Sequence, residues 1–494
     1  MSESMAAMKH TDTEPVAVPG NAPSVGAVPL AVDLDGTLIG SDAMAESLIV
    51  LMHKSPLQLL RLPLWLAGGR AQFKSRLARI ASPAVATLPY RRPVLELLQE
   101  ERSKGRELVL ATGTNEALAS KVAQHVGLFD RTIASDEQVN LTGETKAQRL
   151  TEMFGVRGFD YVGNGWDDVP VWSQARKAIL VEPGPLLRRR VAASTQIEHI
   201  VRGRGNHLES WLEEMRWQHW FKNVLLFVPL IAAHHLYDFE ALVQPALAFA
   251  AFCLCASSIY LFNDLADLPS DRSHPVKKLR PLASGRVSIR GGVLLQAFLL
   301  VCALALGSIL PAGFLATIGI YFVLQVAYSL QLKHVAYLDA LVLATGYSLR
   351  IVAGAAAAET VISPWPLAVA QLFFFGLALL KRYAELVAMH MHFGQQTNVR
   401  GYALGQNSAI YQVGTASGYL AVLVLALYGY LLEEEGLHFV AVVALCVFLL
   451  VWTMHVWRMA RLGRITGDPV VFVCRDRTSQ LLAVVTVAAV LFSG

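Results

Sequence analysis

Apolar and polar residues follow two different rhythms along this chain, and the change falls near residue 215. Before it, apolar runs of strand length separate mixed helical stretches. After it, long apolar runs recur and charges thin out. A polar lead rich in Ala, Pro and Gly, residues 1–27, has the composition of a disordered segment. From Val28 the chain reads Val-Pro-Leu-Ala-Val-Asp-Leu-Asp-Gly-Thr-Leu, a strand closing on two acids. On extended backbone Asp33 and Asp35 share one face. Residues 43–88 read as helical; their apolar run at 47–67 is broken by His53, Lys54, Pro56, Arg61 and Pro63, so it does not span a membrane. A helix over 91–104 precedes a strand at 107–114 that carries Thr112. A third strand falls near 131–135, Lys146 opens the next helix, and a fourth strand near 159–163 runs into Gly-Asn-Gly-Trp-Asp-Asp. Strands alternating with helices predict a parallel sheet covered on both faces. Acids and Thr at the strands' carboxyl ends place a site at that edge. An α/β domain over 28–200 is therefore expected.

Residues 201–221 read as an interfacial connector, and residues 222–494 as an all-α membrane bundle. Apolar runs fall near 222–237, 243–262, 291–309, 312–330, 338–357, 365–380, 416–432, 438–456 and 478–493, about nine spans. Alternate loops are basic: 264–290; 331–335 with Lys333 and His334; 381–415 with Lys381, Arg382 and Arg400; and 457–477 with five arginines, Arg475 among them. The loops between them lack Lys and Arg, and one carries Glu433-Glu434-Glu435. This pattern predicts a multi-pass protein of the inner (cytoplasmic) membrane with its basic loops and N-terminal domain in the cytosol. The first residues contain no apolar stretch of signal-peptide type, which agrees with that orientation.

The net charge of +4 sits mainly in short loops. It suits an anionic membrane face and phosphorylated substrates, and argues against nucleic acid as a partner. The five cysteines, Cys253, Cys255, Cys302, Cys446 and Cys474, lack metal-ligand spacing and read as small core hydrophobes.

Candidate chemistry in the second half gathers at 258–286. Asp264, Asp267 and Asp271, spaced by three and four, would share one helix face, with Asn263 beside them. Carboxylates so close repel unless a hard cation joins them, and Mg²⁺ takes oxygen ligands and bridges to phosphates. Lys277, Lys278 and Arg280 follow, suited to phosphate oxygens. A loop that served membrane topology alone would need these cations but not the ordered acids. Further polar groups gather at the same face: Arg216, Lys222 and Asn223 before the first run, Tyr328, Lys333, Asp339 and Arg350 around the fourth and fifth, and Lys381 and Arg382 at the sixth. Arg350 lies within an apolar run, so it should face a polar cavity or an anion.

The N-terminal motifs resemble the haloacid dehalogenase (HAD) phosphatase superfamily. The resemblance implies that Asp33 is the nucleophile, that Asp35 is the general acid/base, and that Thr112 and Lys146 hold phosphoryl oxygens. It implies Mg²⁺ held by Asp33, Asp35, Asn164 and Asp168, and a helical cap over about 43–88. Gly163-Asn164 departs from the usual Gly-Asp. The second half resembles the UbiA superfamily of intramembrane transferases through Asn263-Asp264-Leu-Ala-Asp267-Leu-Pro-Ser-Asp271 and Lys277-Lys278-Leu-Arg280-Pro281. Where typical members carry a second aspartate-rich motif, only Asp339 stands here. Trp220-Phe-Lys222-Asn223, Gln325-Val-Ala-Tyr328, Leu332-Lys333-His334, Leu349-Arg350-Ile-Val-Ala-Gly354, Lys381-Arg382-Tyr383-Ala-Glu385 and Arg475-Asp476-Arg477 are similar to the decaprenylphosphoryl-5-phosphoribose synthase branch. That branch moves 5-phosphoribose from phosphoribosyl pyrophosphate (PRPP) onto a polyprenyl phosphate. It implies that Asn263, Asp264, Asp267 and Asp271 hold Mg²⁺ and pyrophosphate. Lys277, Lys278 and Arg280 would grip phosphate oxygens, and Lys333, Arg350 and Lys381 the donor or lipid phosphate. The alternative is prenyl transfer from a polyprenyl diphosphate to an aromatic acceptor such as 4-hydroxybenzoate.

Overall fold

The computed structural model describes residues 28–203, 207–232, 239–393, 401–402, 406–431, 439–465, 472 and 476–493. The expected disordered lead, the Glu433–Glu435 loop, Arg400, Cys474 and Arg475 lie outside these residues. The chain divides into two compact units at residues 205/206.

The first unit holds strands β1 (Leu30–Val32), β2 (Leu108–Asn115), β3 (Arg131–Ser135), β4 (Asp160–Gly163), β5 (Lys177–Val181) and β6 (Gln196–Val201). They form one parallel sheet in the order β3-β2-β1-β4-β5-β6. The central strands are buried on both faces, which is why they read as continuous apolar runs rather than alternating ones. Helices α1 (Ala43–Lys54), α2 (Leu62–Ala67), α3 (Arg70–Ile80), α4 (Arg92–Ser103), α5 (Glu116–Val126), α6 (Glu144–Phe154), α7 (Val169–Gln174) and α8 (Pro185–Ala192) complete the unit. Two apolar clusters fill it, one on each side of the sheet. Helices α1, α2 and α3, with a 3-10 helix over Pro56–Arg61, have a small core of their own around Leu51, Trp65, Phe73 and Leu77. Strand order reverses between β1 and β4, and that switch point is where such sheets hold their ligands. Strands β5 and β6 extend the sheet beyond the four strands legible in the sequence. The latter ends at Val201, the first residue of the expected connector.

The second unit begins with α9 (His207–Met215), a 3-10 helix over Trp217–Phe227 and α10 (Val228–Ala232). The long helices follow: α11 (Phe239–Ala266), a short α12 (Leu268–Ser273), then α13 (Ile289–Gly307), α14 (Ala312–Leu330), α15 (Leu338–Ala357), α16 (Pro364–Phe393), α17 (Asn407–Leu431), α18 (Phe439–Arg461) and α19 (Arg477–Ser493). Among the described residues, seven of these are long and apolar enough to cross a bilayer, so the chain is a multi-pass membrane protein. Together with α19 and the segment 217–232 they make nine apolar helical segments. The first apolar run does not fold as the single helix expected over 222–237. Its described part is a 3-10 helix that passes into α10 at Val228, with Pro229 in the first turn of α10. That segment packs tightly on α15: a Cβ at Gly354 would lie 1.9 Å from the Leu226 carbonyl oxygen.

Candidate active sites

In the first unit, Asp33 leaves β1 at the switch point, buried. Its Oδ1 accepts a hydrogen bond from Lys146 Nζ at 2.8 Å, and its Oδ2 lies 3.4 Å from the Thr37 hydroxyl. That hydroxyl also donates to Asn164 Oδ1 at 3.1 Å, so oxygens from β1 and from the loop after β4 flank one spot. Gly36 makes the approach possible. Its φ is +75°, and a Cβ there would lie 2.3 Å from Asn164 Nδ2. The Asp35 carboxylate accepts from the Ala43 amide at the start of α1 and from the Thr114 hydroxyl, both at 2.7 Å. Thr112 is buried on β2. Burial pushes Asp33 up to about 7; Lys146 pulls the other way, while Asp168 and Asp35 push it further up. Burial and the charge of Asp42 raise Asp35 to about 6 against its two hydrogen bonds. Burial opposes the Lys146 charge, but Asp33 and Asp168 outweigh it and hold the ammonium above its ordinary range.

Asp168, expected as a metal ligand, is occupied otherwise. It accepts from Tyr161 Oη at 2.7 Å, from Lys146 at 3.3 Å and from the backbone amides of Asn164 and Gly165. It thus clamps the loop that presents Asn164. Lys74 of α3 was not singled out in the sequence. It donates to the Gly113 carbonyl at 2.7 Å and to Asn140 Oδ1 at 2.8 Å, bringing a cation from the cap to the end of β2. Only the fold brings positions 74 and 113 together.

In the second unit helix α11 stops at Ala266 and α12 starts at Leu268 with Pro269 in its first turn, but Asp267 between them keeps right-handed helical angles. The amides of Asp267 and Asp271 still donate to the carbonyls of Asn263 and Asp267, at 2.8 and 2.9 Å, so the helical path continues through the three aspartates. Asp264 and Asp271 are brought together by Arg280, whose Nη1 donates to Asp264 Oδ1 at 3.0 Å and to Asp271 Oδ2 at 2.5 Å. Arg216 adds two bonds to Asp264, at 2.6 and 2.7 Å, and stacks on Tyr260. Lys277 lies 3.8 Å from Asp271, and Lys333 binds Asp267. Lys278 is exposed. Glu214 of α9 is a further acid that the sequence did not single out. It is buried, accepts from the Leu282 amide at 3.2 Å, and is pushed up to about 8 by burial and by the charge of Asp264. Its place in a connector read as interfacial hid it.

The remaining residues divide into two groups. Arg350 is buried in α15 and donates to Asn223 Oδ1 at 2.8 Å, Gly346 O at 2.6 Å and Tyr321 Oη at 3.0 Å. The rings of Phe252, Tyr321 and Tyr347 surround it at 5.0–5.5 Å. Asn223, expected at the substrate, therefore orients Arg350. Arg382 is buried against Asp339 at 2.5 Å, Glu385 at 2.8 Å and the Tyr328 hydroxyl at 3.2 Å. Tyr402 donates to the other Asp339 oxygen. Arg382, Asp339 and Tyr328 thus satisfy one another, a brace between α14, α15 and α16 rather than an open phosphate pocket. Lys222 and Lys381 are half-buried.

Among the described residues no three of His, Cys, Asp and Glu form a metal cage by themselves. The donors nonetheless suit Mg²⁺. Asp271 Oδ1 is a buried carboxylate oxygen without a hydrogen bond, in a set made wholly of oxygens. In the first unit Asp33 Oδ2 and Asn164 Oδ1 converge as described.

A parallel α/β unit with an acid pair at its switch point, joined to a helical membrane bundle with an acid–base cluster, defines a two-domain membrane enzyme. Residues 30–172 match the haloacid dehalogenase-like hydrolases, and residues 224–466 match the UbiA prenyltransferase family. The chain belongs to the UbiA prenyltransferase family and carries a haloacid dehalogenase-like hydrolase domain before it. It is 34% identical over 472 residues to an uncharacterized protein of Sinorhizobium fredii, covering 94% of this chain and 90% of that one. It is 30% identical over 293 residues to the decaprenyl-phosphate phosphoribosyltransferase of Mycobacterium tuberculosis, covering 56% of this chain and 92% of the relative. Among solved structures, a digeranylgeranylglyceryl phosphate synthase overlaps 58% of this chain and 96% of its own at 17% identity, with a TM-score of 0.43.

Proposed function

We propose that the membrane unit transfers 5-phosphoribose from PRPP to a polyprenyl phosphate, releasing pyrophosphate, on the cytosolic face of the inner membrane. The observation that carries this reading is the excess of cations over what a neutral acceptor needs. Arg216, Lys277, Arg280 and Lys333 all sit on the acid cluster, and Arg350 stands apart with neutral partners. PRPP and a lipid phosphate together bring a diphosphate and two monophosphates. The tuberculosis relative's name supports the same choice.

Asn263, Asp264, Asp267 and Asp271 would hold Mg²⁺, which neutralises charge on the departing pyrophosphate. Arg280, Lys277 and Lys333 turn from these carboxylates to the diphosphate oxygens as it binds. Arg350, oriented by Asn223, serves a monophosphate. The acceptor phosphate is already a nucleophile: its oxygen bonds to the ribose C1 as the C1–O bond to pyrophosphate breaks, and the electron pair leaves with pyrophosphate. No strong base is required.

The HAD unit would then hydrolyse the 5-phosphate of the product. Asp33 would act as nucleophile and Asp35 as acid/base, its carboxylate held by Ala43 and Thr114, while Lys146 and Thr112 would hold phosphoryl oxygens. Asp33 and Asn164 would hold Mg²⁺ there.

The decisive assay offers labelled PRPP, Mg²⁺ and polyprenyl phosphate to the purified protein in detergent. Label should enter the lipid phase, and Asp264→Asn should abolish transfer while the protein still folds. Reaction with a polyprenyl diphosphate and 4-hydroxybenzoate instead would establish the aromatic prenyltransferase alternative.

A further inference from the structure

The cap of the HAD unit carries an apolar surface that its own core does not use. Over 56–66 the chain is Pro-Leu-Gln-Leu-Leu-Arg-Leu-Pro-Leu-Trp-Leu. Leu59, Leu62 and Trp65 face inward and pack with Leu51, Phe73 and Leu77. Leu57, Leu60, Leu64 and Leu66 point outward, with exposures of 80%, 78%, 73% and 55%. Four leucines exposed within ten residues form a patch, not the scattered apolar residues of an ordinary surface.

Charge around the patch has one sign. No Asp or Glu occurs between Glu46 and Glu96, whereas Lys54, Arg61, Arg70, Lys74, Arg76 and Arg79 all do. Lys74 and Arg79 fasten α3 to the sheet-side loop through Asn140 and Glu137. Lys54, Arg61 and Arg76 are exposed. Leucines that project from a segment with only cations are what an anionic bilayer surface accepts: the side chains enter the acyl boundary and the cations meet lipid phosphates. The unit is also tethered to a membrane protein, because only residues 202–206 separate β6 from α9.

We propose that the cap is a membrane-docking element, with residues 57–66 seated in the headgroup region of an anionic bilayer. The HAD site beneath the cap then receives a phosphate monoester presented by a lipid in that surface. This last step rests on the phosphatase reading above; the docking itself does not.

The test places spin labels at Leu57→Cys, Leu60→Cys and Leu64→Cys in the full chain, with Glu152→Cys on exposed α6 as the aqueous reference and the unsubstituted chain to subtract signal from native cysteines. In vesicles of phosphatidylcholine and phosphatidylglycerol, the three cap labels should be relaxed more by oxygen than by a water-soluble nickel chelate. Glu152→Cys should show the reverse, and the cap labels should move toward water in phosphatidylcholine alone. Labels as aqueous as the reference overturn the proposal, as do labels shielded from both reagents, which would mean that protein covers the patch. With 5-phosphoribosyl polyprenyl phosphate in such vesicles, Leu60→Asp with Leu64→Asp should lower phosphate release severalfold while release from p-nitrophenyl phosphate is unchanged. An equal fall on both substrates, or none, overturns presentation from the surface. If Asp33→Asn leaves phosphate release intact, it is the phosphatase reading that fails, whatever the labels report.

Discussion

At the scale of single residues, both candidate sites hold buried ion pairs that the proposed substrates would displace. Lys146 sits on Asp33 at 2.8 Å, and Arg280 spans Asp264 and Asp271. A charge buried with a movable partner costs less than a bare one, and that partner is already in place for a phosphate. Asp33→Asn keeps the shape of the side chain and removes the proposed nucleophile. Phosphate release from 5-phosphoribosyl polyprenyl phosphate should fall on the order of 10³-fold or more, while label transfer from PRPP stays intact. The reciprocal variant, Asp264→Asn, should stop transfer and leave hydrolysis of p-nitrophenyl phosphate unchanged. Independence of the two losses is what two separate sites require.

At the scale of elements, two contacts hold the bundle's helices in register. Arg382 and Asp339 are buried together between α15 and α16, with Tyr328, Tyr402 and Glu385 completing the network. Arg382→Leu strands Asp339 as an unpaired buried charge. The expected loss is about 3–5 kcal/mol, read as a lower thermal midpoint in detergent. Gly354 lets α15 touch the 217–227 segment. Gly354→Ala should force that segment away and, because Asn223 lies on it, loosen the hydrogen bond to Arg350. Activity should fall with stability, and KM for one of the two phosphate substrates should rise.

At the scale of the whole molecule, the HAD unit and the membrane unit each have their own apolar cores. The HAD unit has a buried charge whose titration reports on it alone. Burial would raise Asp160, but the hydrogen bonds and charges of Arg176 and Arg106 outweigh it and hold the carboxyl below its ordinary range. A carboxylate depressed in the folded state stabilises above its unfolded pKa of about 4, and that contribution disappears as pH falls through the lower folded value. The stability that Asp160 contributes should therefore be lost only as pH falls below about 4, whereas Asp33 and Asp35, raised to about 7 and about 6, act in the opposite sense at higher pH. Asp160→Asn should be less stable at neutral pH, with a shallower dependence on acid, as followed by its thermal midpoint.

The sequence by itself marked the candidate chemistry and determined which rhythm each segment follows. The β1 acids, Lys146, the aspartates of 264–271 and the long apolar runs are local patterns, set by periodicity and by residue types that few other tasks require. It also placed four of the six sheet strands. Strands β5 and β6 escaped because Lys177–Val181 and Gln196–Val201 sit among charged helices without a motif to mark them. Only the tertiary structure decided which charges meet. Glu214 and Arg216 reach Asp264 across some fifty positions, Lys74 reaches β2 from the cap, and Arg382 is committed to Asp339 rather than to a ligand. The 3-10 path through Trp217–Phe227 was likewise a tertiary outcome. Periodicity reports the face a residue prefers, whereas pairing depends on which elements the chain brings alongside, and that is fixed by packing over the whole unit.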